Sequence, residues 1–444
     1  MLFPTLLAAA SLASLAQAGP IALDKRQQNG SSTFGAGADL PNHRTIPDGS
    51  GGYKQVDPSY NGSSYTVPIV HSIPEGVDPK TWKGYTTENE PYINAAKIIG
   101  NPSVNGTNTT MAWHGQPAGG LLEQNPIYKP ASNFDFQSFS LALLQEEIEL
   151  DLFHYLLAEF PLSEWEAIGL TEDDRTLTQH MANQEVGHAL ALTNILGVDK
   201  AQKQCTYQYP FKTLKEGIYF NALLTRWGEA GVYGFLNQLD SRPSAQILLQ
   251  SITTEARQQM IFRQFAGLPA TPEWFETGLP QAYAWTLLSP YILSCPPNNT
   301  RMEFWRFPLL NVTNAPSALE GNPGINSNYT LGGGVVGRRI DLSWEPLGKA
   351  VGWDNSYKTE SMAGEPKYLA FFDQLNVTYA ELHGVDTQKR VAHAFVPNST
   401  VYPTEPQIVN TAFVSLVDEN LFVTAYNSTM LNNHTVAVGI YQAS

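Results

Sequence analysis

Four stretches of helical periodicity between residues 134 and 296 each carry an acid at mid-length on their apolar stripe. In the first, 136–160, Glu146 lines up with Phe139, Ala142, Leu143, Phe153 and Leu157, with Glu149 one turn on. In the second, 173–196, Glu185 and His188 fall among Met181, Ala182, Ala189, Leu192 and Leu196. In the third, 212–239, Glu229 falls among Ala222, Thr225, Val232, Tyr233 and Leu236, and in the fourth, 244–266, Glu255 and Gln258 share a face with Leu248, Ile252 and Phe262. Residues three and four apart lie on one helix face. A fold that buries these stripes therefore buries the acids too. An uncompensated buried carboxylate costs several kcal/mol, so the interior must offer each acid a partner.

The punctuation between the segments points to a bundle. Pro161, Gly197, the Ser241-Arg242-Pro243 turn, and Gly267 with Pro269 end the four segments in order. The tight turn makes the third and fourth antiparallel neighbours. The link from Gly197 to Phe211 can stretch roughly 45–50 Å at about 3.3 Å per residue, against about 30 Å for a twenty-residue helix. It can run the length of a bundle, as the single long crossover of ferritin-like folds requires. The expected fold class is an all-α ferritin-like four-helix bundle core with a loop-rich N-terminal arm and a smaller β-rich C-terminal region. A fifth helix at 280–293 caps the bundle, and no internal repeat is present.

A carboxylate-bridged di-metal bundle takes one Glu from each of two helices and Glu-x-x-His from each of the other two. Here Glu146, Glu185, Glu229 and Glu255 are the candidate carboxylate ligands and His188 is the imidazole. Gln258 stands where a second imidazole belongs, and its amide oxygen is a weak, neutral ligand. The expected cofactor is one or two iron or manganese ions, with O₂ or peroxide as co-reactant and oxidase or ferroxidase-type chemistry. The alternative is a metal-free polar cluster inside a non-catalytic scaffold. His180 and His154 lie off the stripes and read as ordinary structural or surface histidines.

The flanks place the chain in the secretory pathway. The apolar run 6–16 with Ala16-Gln17-Ala18 reads as a signal peptide over 1–18, and Lys25-Arg26 closes a propeptide over 19–26. An extended arm (27–133), rich in Gly, Pro and Asn, precedes the bundle (134–296); a linker (297–330) and the β-rich region (331–444) follow it. Strands are expected at 411–417, 421–426 and 436–441. Sequons for N-glycans stand at Asn29, Asn61, Asn105, Asn108, Asn298, Asn311, Asn328, Asn376, Asn398, Asn427 and Asn433, with none between Asn108 and Asn298. A glycan needs an exposed Asn, so the gap marks the compact core. Cys205 and Cys295 are expected to pair in an oxidising compartment, with two free thiols as the weaker reading. A net charge of −15 leaves no basic patch for nucleic acid, and no run reaches the length of a membrane helix. There is no nucleophile elbow and no Walker or dinucleotide loop. Gly332-Gly333-Gly334 reads as a spacer.

Several motifs together resemble one family. They are Leu143-Leu144-Gln145-Glu146-Glu147-Ile148-Glu149, Asn183-Gln184-Glu185-Val186-Gly187-His188 and Glu255-Ala256-Arg257-Gln258-Gln259-Met260. Trp274-Phe275-Glu276-Thr277, Ser289-Pro290-Tyr291, Pro366-Lys367-Tyr368 and Gln374-Leu375-Asn376-Val377-Thr378 extend the likeness over most of the chain. It is similar to the secreted fungal ferritin-like-domain proteins of the stress-response and late-sexual-development type, related to plant desiccation-related proteins. The resemblance implies a role in nutrient stress, desiccation or development and no defined reaction. A Gln on the fourth helix also occurs in working ferritin sites, so Gln258 does not exclude iron oxidation. An iron-storage shell is not implied, because a glycosylated arm and a β tail would obstruct its packing.

Overall fold

The computed structural model describes residues 128–197, 200–316 and 332–444, together with the backbone of two short strands, Thr45–Pro47 and Tyr53–Gln55, paired antiparallel. The expected signal peptide and propeptide lie outside the described residues, as do nearly all of the arm, part of the linker, and Asn29, Asn61, Asn105, Asn108 and Asn328.

The helices are α1 (Asn133–Glu159), α2 (Leu162–Ala167), α3 (Glu172–Leu196), α4 (Leu214–Phe235), α5 (Arg242–Phe265) and α6 (Gln281–Leu288). Local chemistry sets their ends. Thr171 and Asp174 form a reciprocal capping box at the start of α3, and Thr213 with Glu216 does the same for α4. Gly197, with φ of 87°, turns the chain out of α3. The expected third helix ends earlier than Leu239: α4 stops at Phe235 and tightens into a 3₁₀ turn, Leu236–Gln238. The fifth stops at Leu288, where Ser289–Tyr291 forms a 3₁₀ turn around Pro290 and leads into a strand, Ile292–Ser294.

Side-chain contacts give the helix directions. Arg175, near the start of α3, donates to Leu157 O at the end of α1 (3.1 Å), so these two run antiparallel. The crossover then returns along α1. Gln202 donates to Ser140 O (2.6 Å), Tyr209 donates to Asp151 Oδ2 (2.7 Å), and the Phe211 ring meets Tyr155 (5.7 Å). From Ser140 to Tyr155 that path covers about 22 Å of helix at 1.5 Å per residue. At the other end, the Asp135 carboxylate near the start of α1 accepts from the amides of Asp240 and Ser241 (2.9 Å each) and pins the α4–α5 turn there. The up-down-down-up order follows. Thr206–Tyr207 pairs with Ile292–Ser294, and beside this pair Cys205 and Cys295 form a disulfide with Cα atoms 4.3 Å apart. Closing a loop of 90 residues stabilises by roughly 4 kcal/mol in the chain-entropy view.

The C-terminal part overturns the expected fold class. Eight strands form one sheet: β1 (Leu309–Val312), β2 (Arg339–Trp344), β3 (Tyr368–Asp373), β4 (Asn376–Glu381), β5 (His383–Asp386), β6 (Val391–Phe395), β7 (Thr411–Val417) and β8 (Thr435–Gln442). Their order is β4-β3-β7-β8-β1-β2-β6-β5, antiparallel except for β8 beside β1, and the sheet is nearly closed on itself. Among the described residues only 42% are helical. The protein is an α+β molecule, not an all-α bundle with a smaller β appendage.

Both faces of the central strands β3 and β7 are buried. On β3 and β7 alternate residues point to opposite sides. Ala370, Phe372, Phe413 and Val417 join the core of the bundle. Leu369, Phe371, Val414 and Leu416 build a second core with Ile340, Leu342 and Tyr441. From α6, Tyr283 crosses to the sheet, its hydroxyl 3.0 Å from Ser415 Oγ and 2.6 Å from Thr435 Oγ1. The expected strand at 421–426 is absent. Asn427 Oδ1 accepts from Thr424 N (2.8 Å) and closes a turn there that leaves Phe422 87% exposed. Among the described sequons, Asn298, Asn311 and Asn398 are exposed, and Asn376, Asn427 and Asn433 are half-buried. Among the described residues no helix is long and apolar enough to cross a membrane.

Candidate metal centre

The middle of the bundle brings together Glu146 from α1, Glu185 and His188 from α3, and Glu255 from α5. One ligand atom from each lies within 4.8 Å of all the others. The three carboxylates are almost wholly buried, whereas the His188 side chain is 12% exposed. His188 Nδ1 stands 3.1 Å from Glu185 Oε2, 3.3 Å from Glu146 Oε2 and 3.7 Å from Glu255 Oε1. Gln258, one turn beyond Glu255, donates its amide to Glu185 Oε1 and to Gln184 Oε1 (3.0 Å).

The other nitrogen of His188 is held from α5. Thr254 Oγ1 lies 2.9 Å from His188 Nε2 and donates its own proton to Ser251 O (2.7 Å). A hydroxyl has one proton, so Thr254 accepts from Nε2–H. In the neutral ring this leaves the lone pair on Nδ1, the atom that faces the three carboxylates. Such a partner fixes the tautomer of a metal-binding imidazole.

Burial pushes Glu146, Glu149 and Glu255 well above the usual carboxylate range, and repulsion from neighbouring acids, Glu185 among them, adds to it. Burial pushes the same way on Glu185, but the His188 charge and hydrogen bond win and hold it below its ordinary value. Burial would lower His188, yet Glu185, Glu255 and Glu149 hold its pKa up to about 9.

These residues fit a divalent cation. Three buried carboxylates face one imidazole, and protons alone must otherwise supply the balance. Glu149 Oε2, Glu255 Oε1 and Gln258 Oε1 are buried and accept no hydrogen bond. Buried oxygens without donors are costly in a core, and a cation satisfies several at once. The buried Glu/His cluster could hold a metal ion.

Glu229 stands outside the group. It is fully buried on α4, and its Oε1 lies 3.2 Å from Arg226 Nη1. That arginine also lies 3.5 Å from Glu273 and contacts Glu276. Burial lifts Glu229 to about 7 despite the arginine. His180 is exposed and His154 is buried on α1. Thr254 gave no sequence signal, because it lies off the apolar stripe. Glu149 did, by standing three residues after Glu146.

Comparison with known proteins agrees with the helical core. A ferritin-like domain model matches residues 134–268, which span α1 to the end of α5. Protein rds1 of Schizosaccharomyces pombe is 43% identical over 340 residues, covering 72% of this chain and 84% of that one. The match reaches well beyond the helical segment, so the bundle and at least part of its flanks are shared as a unit. The chain belongs to the family of ferritin-like-domain proteins represented by fission yeast rds1.

Proposed function

We propose that this protein binds iron or manganese in the centre of its bundle and uses it toward O₂ or peroxide. The observation that carries the reading is the convergence of Glu146, Glu185, His188 and Glu255 within 4.8 Å in an apolar interior. Three carboxylates and one imidazole suit iron(II) and manganese(II), which accept mixed oxygen and nitrogen donors. A carboxylate-held iron or manganese ion, when bound, supplies one-electron redox chemistry toward O₂ or peroxide. The chain's own part is to hold and dehydrate. Glu146, Glu185 and Glu255 offer oxygens and His188 offers Nδ1, while Thr254 keeps the Nε2 proton away from the ion. The proton carried on His188 Nδ1 in the metal-free form leaves when an ion binds, so binding strengthens as pH rises. Gln258 brings no charge, and its amide aligns Glu185.

The same proposal includes export from the cell and a stress- or development-associated role. Its support is the leader-like segment, the dibasic pair at Lys25-Arg26 and the sequons clustered outside the helical core. Glycans on Asn298, Asn311 and Asn398 would meet no steric barrier, since all three are exposed.

Element analysis of the purified protein tests the metal reading. Near-stoichiometric iron or manganese, lost in the double variant Glu185→Ala with His188→Ala, is the expected result. A metal-free protein whose stability is unchanged in that variant would leave the bundle as a non-catalytic scaffold.

A further inference from the structure

We infer that Glu149 is a further ligand of this centre, so that α1 supplies two carboxylates and α4 supplies none. The inference rests on the metal-binding reading above and assigns the ligand which that reading leaves out.

Glu149 lies one turn beyond Glu146, on the same face of α1, and is fully buried. Its two oxygens differ. Oε1 accepts from Gln145 Nε2 (2.7 Å), while Oε2 is buried without a hydrogen-bond partner. Burial, with the charges of Glu255 and Glu185, pushes its carboxyl well above the usual range, while Gln145 and His188 pull the other way. A carboxylate with one oxygen held and the other bare, beside three further acids, is arranged to receive a cation.

The holding residue is itself held. Gln145 reaches across to α4, where its amide also donates to Leu224 O (3.4 Å), and it lies against Gly228. A Cβ at Gly228 would stand 2.7 Å from Gln145 Nε2. The glycine therefore makes room for the side chain that orients Glu149. On α4, meanwhile, the acid that a symmetric site would use is engaged elsewhere: Glu229 is paired to Arg226. Replacing Glu229 by Glu149 keeps four carboxylates at the centre with His188, a charge that two divalent ions balance. Four carboxylates make the site rich in hard oxygen donors, which favours manganese(II) and iron(II) over softer metals.

The test uses full-length protein stripped with a chelator and titrated with manganese(II), read by calorimetry and by metal content after desalting. Wild-type protein should take up about two ions per chain. Glu149→Gln should weaken uptake by about tenfold or more and lower the content toward about one ion. Gly228→Ala, which displaces Gln145, should shift uptake in the same direction. Glu229→Gln should leave content and affinity at the wild-type level. Unaltered uptake in Glu149→Gln, or equal losses in Glu149→Gln and Glu229→Gln, overturns the assignment of Glu149 and leaves metal binding intact. No uptake of manganese(II) or iron(II) by the wild type overturns both. Should Glu149→Gln fail to fold, Gly228→Ala decides alone, with wild-type uptake as the contrary result.

Discussion

Thr254 Oγ1 lies 2.9 Å from His188 Nε2 and directs its own proton to Ser251 O. The hydroxyl can then only accept from the ring, which turns Nδ1 toward Glu146, Glu185 and Glu255. Thr254→Val keeps the shape and removes the acceptor. Metal affinity should fall roughly 10–100-fold, as it does when partners of metal-bound histidines are lost. Thr254→Ser should restore most of it. Calorimetric titration of the two variants checks this, and equal affinity in Thr254→Val and the wild type would refute the role.

Arg226 is a second case in which one residue decides what a neighbouring acid can do. It is buried and faces Glu229, Glu273 and Glu276, and its charge also acts on Asp373 in β3. Removing one member of a buried ion cluster strands the others. Arg226→Ala should therefore lower stability by about 3–5 kcal/mol in urea denaturation. Arg226→Ala combined with Glu229→Gln should recover part of that loss, because fewer uncompensated charges remain. A single variant as stable as the wild type would show that the cluster is solvated in solution.

The balance between what the sequence reveals and what it hides follows from the range of the contacts. The stripes of α1, α3 and α5 place Glu146, Glu185, His188 and Glu255 inward because i, i+3 and i+4 spacing is fixed by helix geometry alone. The same logic puts Glu229 inward, and it is buried. Whether an inward acid meets a metal or an arginine depends on non-local partners. Here the deciding residues, Glu273 and Glu276, come from the segment after α5 and join Arg226 against α4. The sheet escaped for a related reason. β7 is buried at every position and apolar at all but Thr411 and Ser415, and it reads as a strand at once. β4, β5 and β6 carry Asn, Thr, His and Asp on their half-exposed faces, and β2 mixes Arg and Asp into its run. Pairing across long sequence gaps, not local pattern, makes them strands.

Asp373 and Glu229 give the metal-free protein a defined pH response. Burial raises both to about 7, against ordinary values near 4 in the unfolded chain. Between about pH 4 and 7 the folded state therefore holds protons that the unfolded state has released. Their contribution to stability falls as pH rises through that window and levels off above it. Asp373→Asn removes one of these groups, so the decline in urea midpoint with pH should be shallower in that variant. An identical slope in variant and wild type would mean that Asp373 titrates at its ordinary value.

Two glycines, one on α3 and one on α4, should respond in opposite directions to the same substitution. Gly234, near the end of α4, lets the chain before α6 approach so closely that an added Cβ would stand 1.8 Å from Leu279 O. That contact is with backbone, and Leu279 N is anchored to Ala230 O at 2.8 Å, so it cannot swing away. Gly234→Ala must push the two segments apart and should cost about 3 kcal/mol or more. Gly187, between Glu185 and His188, is exposed and an added Cβ there meets nothing within 4 Å. Gly187→Ala removes backbone freedom from the unfolded chain and should stabilise α3 by roughly 0.5–1 kcal/mol. It should leave metal content unchanged, because the side chains of Glu185 and His188 keep their face. Thermal melts of both variants give the answer. A neutral Gly234→Ala would show that the α4–α6 approach is looser than the structure has it, and a destabilising Gly187→Ala would place a partner over the exposed face of α3.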